Sequence, residues 1–383
     1  AVLGSLVALP ALLAILGKRI DKAVIRKSAI TPKEDGRWAQ TARFVMRRPL
    51  AVVVLSLVIL SILAAPIKNI VFSQVDSRVL PANNPAAFAS KIISDRFPGQ
   101  EGNPVEIVIP KGALVQPEVT KYISEVAKVD GIVRVSQPQI LGEDVRITAV
   151  HSMPPRTLKG ESLIKDIREI KSPEGTLIGG IAADYADTQI GIAKTMPWAL
   201  TWIAIGVLIL LFVFTGSIIL PIKAVILNIL SLAATLGAIT WIFVDGHLRW
   251  LVGDFTVTGA VDTGSIILVA VVAFGLSMDY ELFLLSRIKE EHDAGKSNIE
   301  SVAIGLQRSA RIITAAAGLL AIVFASFIIS GVTSIKMLGF GVAFAILLDA
   351  TLVRALLVPA LMRLFGERNW WAPKSMKRFT INH

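Results

Sequence analysis

Six long apolar segments constrain this chain more than any other feature of its sequence. Each has roughly the 20 residues that a helix needs to cross a bilayer, and together they predict a polytopic α-helical membrane protein. The chain is 54% hydrophobic with a mean hydropathy of +0.65, which excludes an ordinary soluble domain. The predicted spans cover residues 49–66, 198–217, 224–244, 264–286, 312–330 and 338–362.

The basic connecting segments predict how the spans are oriented. Residues 18–48 carry ten Lys and Arg against three acids, and the tail, residues 366–383, is also basic. Because positive loops stay in the cytoplasm, both are predicted to be cytoplasmic, as is an amphipathic helix at 287–311. A nucleic-acid-binding arm is the alternative for residues 18–48. Its position between apolar segments favours a juxtamembrane linker, and no nucleic-acid partner is expected.

Residues 67–194 have the composition of a soluble domain. Their apolar patterns follow the order β-α-β-β-α-β, which predicts a ferredoxin-like α+β domain. The alternation of the spans places this domain outside the cytoplasm. The predicted elements are strand 105–109, helix 117–129, strands 133–136 and 145–151, helix 158–171 and strand 177–183.

The span at residues 264–286 carries charge in the sequence GSIILVAVVAFGLSMDYELFLLS. A carboxylate at membrane depth is costly, so Asp279 predicts a functional site, with the phenol of Tyr280 beside it. Gly275 and Ser277, on the preceding turn, are small enough for another helix or a water to approach. The alternative is that Asp279 lies among the lipid headgroups at the helix end. The apolar residues that follow it favour the first interpretation.

The last span, residues 338–362, contains Asp349 and Arg354. With a rise of 1.5 Å per residue, Arg354 and Asp279 lie at similar depths of roughly 24 and 22 Å, which predicts that they pair. Asp349 and Arg354 are five residues apart, or about 140° around an α-helix, so they are not expected to share a face.

Three functions fit such a cluster: a proton relay, a static ion pair and the aspartate pair of an intramembrane protease. The protease motifs Tyr-Asp and Gly-x-Gly-Asp are absent, because the order here is Asp279-Tyr280 and Asp349 follows a leucine. A relay needs carboxylates whose proton affinity changes with burial and with a cationic neighbour. We therefore predict a relay that comprises Asp279, Tyr280, Asp349 and Arg354.

Several kinds of chemistry are not expected. The chain has no cysteine, and its four histidines show no metal-ligand spacing, so no metal site is predicted. No glycine-rich phosphate loop precedes a helix. We expect no bound cofactor, and a proton gradient rather than ATP as the energy source.

The two ends of the chain share a pattern. LPALLAILGKR at 9–19 aligns with VPALMRLFGER at 358–368, with Pro, Ala, Leu, Gly and Arg in one register. Residues 1–17 are therefore predicted to end the last helix of a first repeat, and the six spans to form a second, parallel repeat. Because the chain starts within apolar residues and without Met, we expect a fragment whose partner is the missing N-terminal half.

Two stretches resemble a known family. FGLSMDYELFLLSRIKEEH at 274–292 is similar to the tenth-helix signature of the MmpL (mycobacterial membrane protein large) family of the RND superfamily. LLDATLVRALLVPALMRLFGERNWWAPKSMKR at 347–378 resembles its twelfth helix and tail. The resemblance implies an RND-type helix bundle with an external porter domain. It also implies facing Asp-Tyr pairs on the fourth and tenth helices, of which this chain holds Asp279 and Tyr280.

The function that this resemblance implies is proton-driven export of lipids, glycolipids or other amphiphiles across the cytoplasmic membrane, by a multi-pass secondary transporter rather than an enzyme. The WWAP run at 370–373 resembles members that export mycolate-type glycolipids, such as trehalose lipids. The alternative is an RND-like membrane assembly or sensor protein that does not transport.

Overall fold

The computed structural model describes residues 4–17, 19, 36–81, 83–97, 99, 101–373 and 375–376. More than half of the predicted basic linker, namely residues 18 and 20–35, lies outside the described residues. The end of the predicted tail, at residues 377–383, does so as well.

The first part of the chain contains one long span between shorter elements. Apolar helices α1 and α3 flank an amphipathic helix, α2, whose buried residues recur at helical spacing. A helix not foreseen in the sequence, α4, begins where the side chain of Asn84 accepts the N–H of Ala86 at 2.9 Å. The elements are α1 (Leu9–Leu16), α2 (Arg37–Arg47), α3 (Pro49–Ala64), β1 (Phe72–Ser73) and α4 (Pro85–Arg96).

Residues 67–194, which we call the sheet domain, contain an antiparallel sheet covered by helices. Its strand order is β3-β5-β2-β6, and β4 pairs with the start of β5. Alternate residues of β2 are buried with Leu163, Ile164 and Ile167 of α6, which produces the core. The elements are β2 (Val105–Ile109), α5 (Gln116–Val126), β3 (Ile132–Val135), β4 (Gln139–Leu141), β5 (Asp144–His151), α6 (Leu158–Glu169) and β6 (Leu177–Gly179).

The remainder of the chain is a helix bundle. The described residues include six helical segments long and apolar enough to cross a membrane: Pro49–Asn69, Ile181–Thr215, Ile219–Val244, Thr263–Asp293, Asn298–Ile329 and Thr333–Trp370. The bundle elements are α7 (Ile181–Thr215), α8 (Ile219–Ile239), α9 (Arg249–Val252), β7 (Val261–Asp262), α10 (Thr263–Asp293), α11 (Asn298–Ala325), α12 (Thr333–Leu348) and α13 (Val358–Phe365).

Helix α7 begins well before its predicted start at residue 198, and the expected domain boundary at 194 falls inside it. Gly180 has a φ of +100°, which ends β6 before residue 183 and turns the chain into the helix. The first turns of α7 then bury Ala182, Ala183 and Ala186 in the core of the sheet domain. A single helix therefore belongs to both the sheet domain and the bundle.

The segment at 287–311 is not the single amphipathic helix that was predicted. It comprises the end of α10, a turn at residues 294–297 and the start of α11, where the side chain of Ser297 accepts the N–H of Glu300. Buried Glu291 pairs with Lys296 at 2.6 Å and with Arg308. These charged residues, whose pattern is typical of a surface helix, thus form ion pairs that join the end of α10 to the turn and to α11.

A small hydrogen-bonded junction connects α10 to the sheet domain. Strand β1 pairs in parallel with β7, which leads directly into α10. The hydroxyl of Thr263 donates to the carbonyl of Ser73 and accepts from Gln189, each at 3.1 Å. The carboxylate of Asp262 accepts the N–H of Ser265 at 2.7 Å and caps the helix.

Candidate functional site

A π-helical stretch, Asp349–Leu357, lies between α12 and α13 and carries the charges of the last span. In a π-helix each N–H bonds to the fifth preceding carbonyl, so residues five apart fall on nearly the same face. Asp349 and Arg354 use this geometry to form an ion pair within one helix. The expectation that they lie about 140° apart is wrong, because it assumed a regular α-helix.

The ion pair is buried and is held against α10 by Ser277. The hydroxyl of Ser277 donates to Asp349 Oδ1 at 2.9 Å, and Arg354 Nη2 donates to the carbonyl of Ser277 at 2.7 Å. Asp349 is 6% exposed and Arg354 is 3% exposed. Ser277 is therefore a hydrogen-bonding member of the cluster and more than a small residue in a packing face.

Arg354 has further binding capacity. Its guanidinium carbon lies 5.1 Å from the centre of the Tyr280 ring, which is a cation–π contact. Its Nε and Nη1 atoms are buried, and neither has a hydrogen-bond partner among the described residues. A buried donor without a partner is costly, so these two nitrogens are available to donate hydrogen bonds to another carboxylate, a hydroxyl or a water.

Asp279 lies on the other side of α10. Two residues correspond to about 200° of an α-helix, so Asp279 points away from Ser277 and is exposed. It shares this open face with Leu268 and Val271, and a Cβ at Gly275 would meet no described atom within 4 Å. The predicted pairing of Asp279 with Arg354 is therefore not formed, because Asp349 takes that place.

Glu281 is a buried acid to which the sequence analysis gave no role. It is 5% exposed, and the charges of Asp349, Arg354 and Lys223 act on it. Its position in the sequence could have indicated its burial, because Glu281 lies four residues after Ser277 and therefore on the same face of the helix. The face of α10 that carries Ser277 consequently bears a buried carboxylate of its own, Glu281, in addition to the Asp349 carboxylate that Ser277 contacts.

Lys223 links the cluster to the end of the bundle that is distant from the sheet domain. Its ammonium donates to Asn369 Oδ1 at 2.5 Å and lies 5.3 Å from the ring of Phe365. Beside it, Trp370 stacks on His292 with 4.2 Å between ring centres. Polar and charged groups thus continue from the ion pair towards this end of the bundle.

Comparison with known proteins identifies the family. The model of the MMPL family matches residues 78–381, which is most of the chain. The chain belongs to the MMPL family. With six segments of membrane-spanning length, this MMPL chain is a multi-pass helical membrane protein.

Relatives of this MMPL chain include named lipid exporters. It is 36% identical to a membrane protein of Streptomyces coelicolor, over 98% of the chain and 52% of that protein. It is 32% identical to the trehalose monomycolate exporter MmpL3 of Mycobacterium tuberculosis and to the mycolic acid-containing lipids exporter MmpL11 of Mycolicibacterium smegmatis. Each alignment covers 98% of the chain, and 44% and 41% of the two exporters. The chain therefore spans about half the length of the relatives it matches.

Proposed function

We propose that this chain is the second-repeat half of a secondary transporter that exports lipids or other amphiphiles and is driven by the proton gradient. The observation that carries the proposal is the buried Asp349–Arg354 pair on Ser277 of α10, whose opposite face exposes Asp279. Charged groups inside a membrane bundle are costly and mark proton or substrate pathways. The static ion pair is the competing account, and it assigns no role to Asp279.

In this mechanism Asp279 and the buried cluster act on the two faces of one helix. An exposed carboxylate at membrane depth needs a partner, and a second set of helices packed over Gly275 would supply it. Protonation of Asp279 would remove the charge on the open face. Arg354, with two donor nitrogens that have no partner among the described residues, would then change partners among Asp349, Glu281 and groups brought by the second set.

The ends of the chain support two parallel repeats. Gly17 ends α1 with φ +47° and ψ −136°, and Gly366 ends α13 with φ +53° and ψ −134°. Each glycine N–H bonds to the fourth preceding carbonyl, and each helix has a proline in its first turn and follows a π-helical stretch. The aligned segments therefore share a local backbone as well as a sequence pattern.

We assign the sheet domain to the ferredoxin-like class and to the outside of the cytoplasmic membrane, with the C-terminal tail inside. The order β3-β5-β2-β6 with two covering helices supports the class, and the basic segments support the orientation. Phe88, Phe97 and Leu141 are 61%, 56% and 65% exposed, so the domain offers apolar surface for acyl chains. The names of MmpL3 and MmpL11 support lipids, including mycolate-type trehalose lipids, as the substrate class.

The test compares proton-dependent lipid export by full-length Asp279→Asn and wild-type protein at matched expression. Asn keeps the shape of the side chain but does not exchange a proton, so export should be lost while the protein still folds. The control is Asp184→Asn, which neutralises an exposed acid of α7 in the sheet domain. Near-normal export by a well-expressed Asp279→Asn variant would refute the relay and leave the static ion pair as the better account, whereas no export by the wild-type protein would favour a non-transporting sensor.

A further inference from the structure

Helix α2 is a fixed part of the fold that lies against the bundle. Ala39 and Ala42 are fully buried, and the N–H of Ala39 donates to Gln307 Oε1 of α11 at 3.1 Å. A Cβ at Gly36 would lie 2.2 Å from Gln307 Nε2, so the start of α2 approaches α11 closely. The helix therefore presents its other face in a defined orientation.

The outward face of α2 is basic and carries one large aromatic ring. The helix contains arginines but no acid, and Phe44 is 72% exposed. Of the described acids, none forms an ion pair with Arg37, Arg47 or Arg48. The exposed residues of this face and of the residue that ends the helix are Arg37, Gln40, Phe44, Arg47 and Arg48.

This face is located where a membrane span begins. Arg48 has non-helical angles, φ −131° and ψ +60°, and Pro49 after it starts the apolar helix α3. Leu50, in the first turn of α3, is 66% exposed. A helix with arginines and an exposed aromatic residue at the end of a span has the features of an interfacial helix, whose cations attract anionic lipid.

We infer that the outward face of α2 binds the headgroup of an anionic phospholipid, with Arg47 and Arg48 at the phosphate and Phe44 against the first carbons of the acyl chains. Arg37, about 15 Å further along the helix, adds positive charge to the same face. The apolar surface of Phe44 and Leu50 beside the arginines selects a lipid over a soluble polyanion. The site is separate from the charged cluster on α10, and lipid binding there does not depend on whether the chain transports a substrate.

The experiment measures lipid retention by the full chain in detergent micelles, by native mass spectrometry, with equal amounts of phosphatidylglycerol and phosphatidylcholine. Wild-type protein should retain phosphatidylglycerol selectively. The combined change Arg37→Gln, Arg47→Gln and Arg48→Gln should lower that selectivity by up to about a hundredfold, because each basic residue near a membrane surface contributes about fivefold. Phe44→Ala should lower the retention of both lipids.

Two controls make the result specific. Changing Lys91, Lys121 and Lys159 to Gln removes the same charge from exposed positions of the sheet domain and should leave the selectivity unchanged. Changing the three arginines to Lys should preserve most of it, which excludes a folding defect as the cause.

Three outcomes would overturn the site: unchanged selectivity in the Gln variant, equal loss in the sheet-domain control, or displacement of the lipid by inorganic phosphate. The last would show that the face binds free phosphate and does not require a lipid.

Discussion

Removing Arg354 should destabilise the protein through the carboxylate that it leaves behind. In Arg354→Met, Asp349 stays buried and keeps the hydrogen bond from Ser277 at 2.9 Å, but it loses its cation. Breaking a buried pair from one side costs about 3–5 kcal/mol, because an uncompensated charge remains in a low-dielectric site. Replacing both members by apolar residues is often neutral or stabilising.

The double variant Arg354→Met with Asp349→Leu should therefore recover most of the stability lost in the single variant. The expected coupling between the two positions is about 3 kcal/mol or more, measured by equilibrium unfolding in mixed detergent–SDS micelles. Arg249→Met is the matched control, because Arg249 is half-exposed and lies 4.0 Å from Asp254. Loss of such a surface pair should cost at most about 1 kcal/mol.

The reasoning would be refuted if Arg354→Met unfolded with nearly wild-type free energy. It would also be refuted if the losses of unfolding free energy in the two single variants summed to the loss in the double variant. The same variants also separate stability from function. A stable double variant that exports normally would show that the pair has no part in the relay.

Three further predictions concern other parts of the molecule. Burial lowers the pKa of His151, so folding favours its neutral form. The stability measured by thermal unfolding should therefore fall as the pH drops below about 6.5, and His151→Asn should reduce this dependence on pH. Gly305→Val should lower the melting temperature more than the same change at the open Gly318, because a Cβ at Gly305 would lie 2.8 Å from the backbone of Ile288. A photoactive lipid should crosslink within residues 67–194 of the full-length protein, and labelling confined to cytoplasmic segments would contradict the assigned role of the sheet domain.

Much of the architecture follows from the sequence because hydrophobic period and length are local properties. Apolar runs indicate where membrane-length helices lie, and the alternation in β2 indicates a half-buried strand. Helix boundaries were less predictable where one helix lies partly in the sheet domain and partly in the bundle. The start of α7 is polar because it lies in the sheet domain, so hydropathy alone placed the helix start at its apolar part.

The charged cluster was predictable in two of its members, Asp349 and Arg354, and not in their pairing. Asp349 and Arg354 stand out in the sequence because charges are rare in apolar spans. Their pairing depends on a π-helical stretch, and no residue pattern in the sequence revealed the change from four-residue to five-residue hydrogen bonds. Glu281 was overlooked because it follows the more conspicuous Asp279-Tyr280 pair.

The junction at Thr263 has a mechanical consequence. Asp279 lies sixteen residues further along the same helix, about 24 Å away, so continuous helical backbone joins the two positions. If α10 turned to carry Asp279 towards the bundle interior, the hydroxyl of Thr263 would swing out of line with Ser73 and Gln189 unless both elements followed. A rotation of α10 at Asp279 would therefore be transmitted to the junction at Thr263, and from there to the elements that carry Ser73 and Gln189.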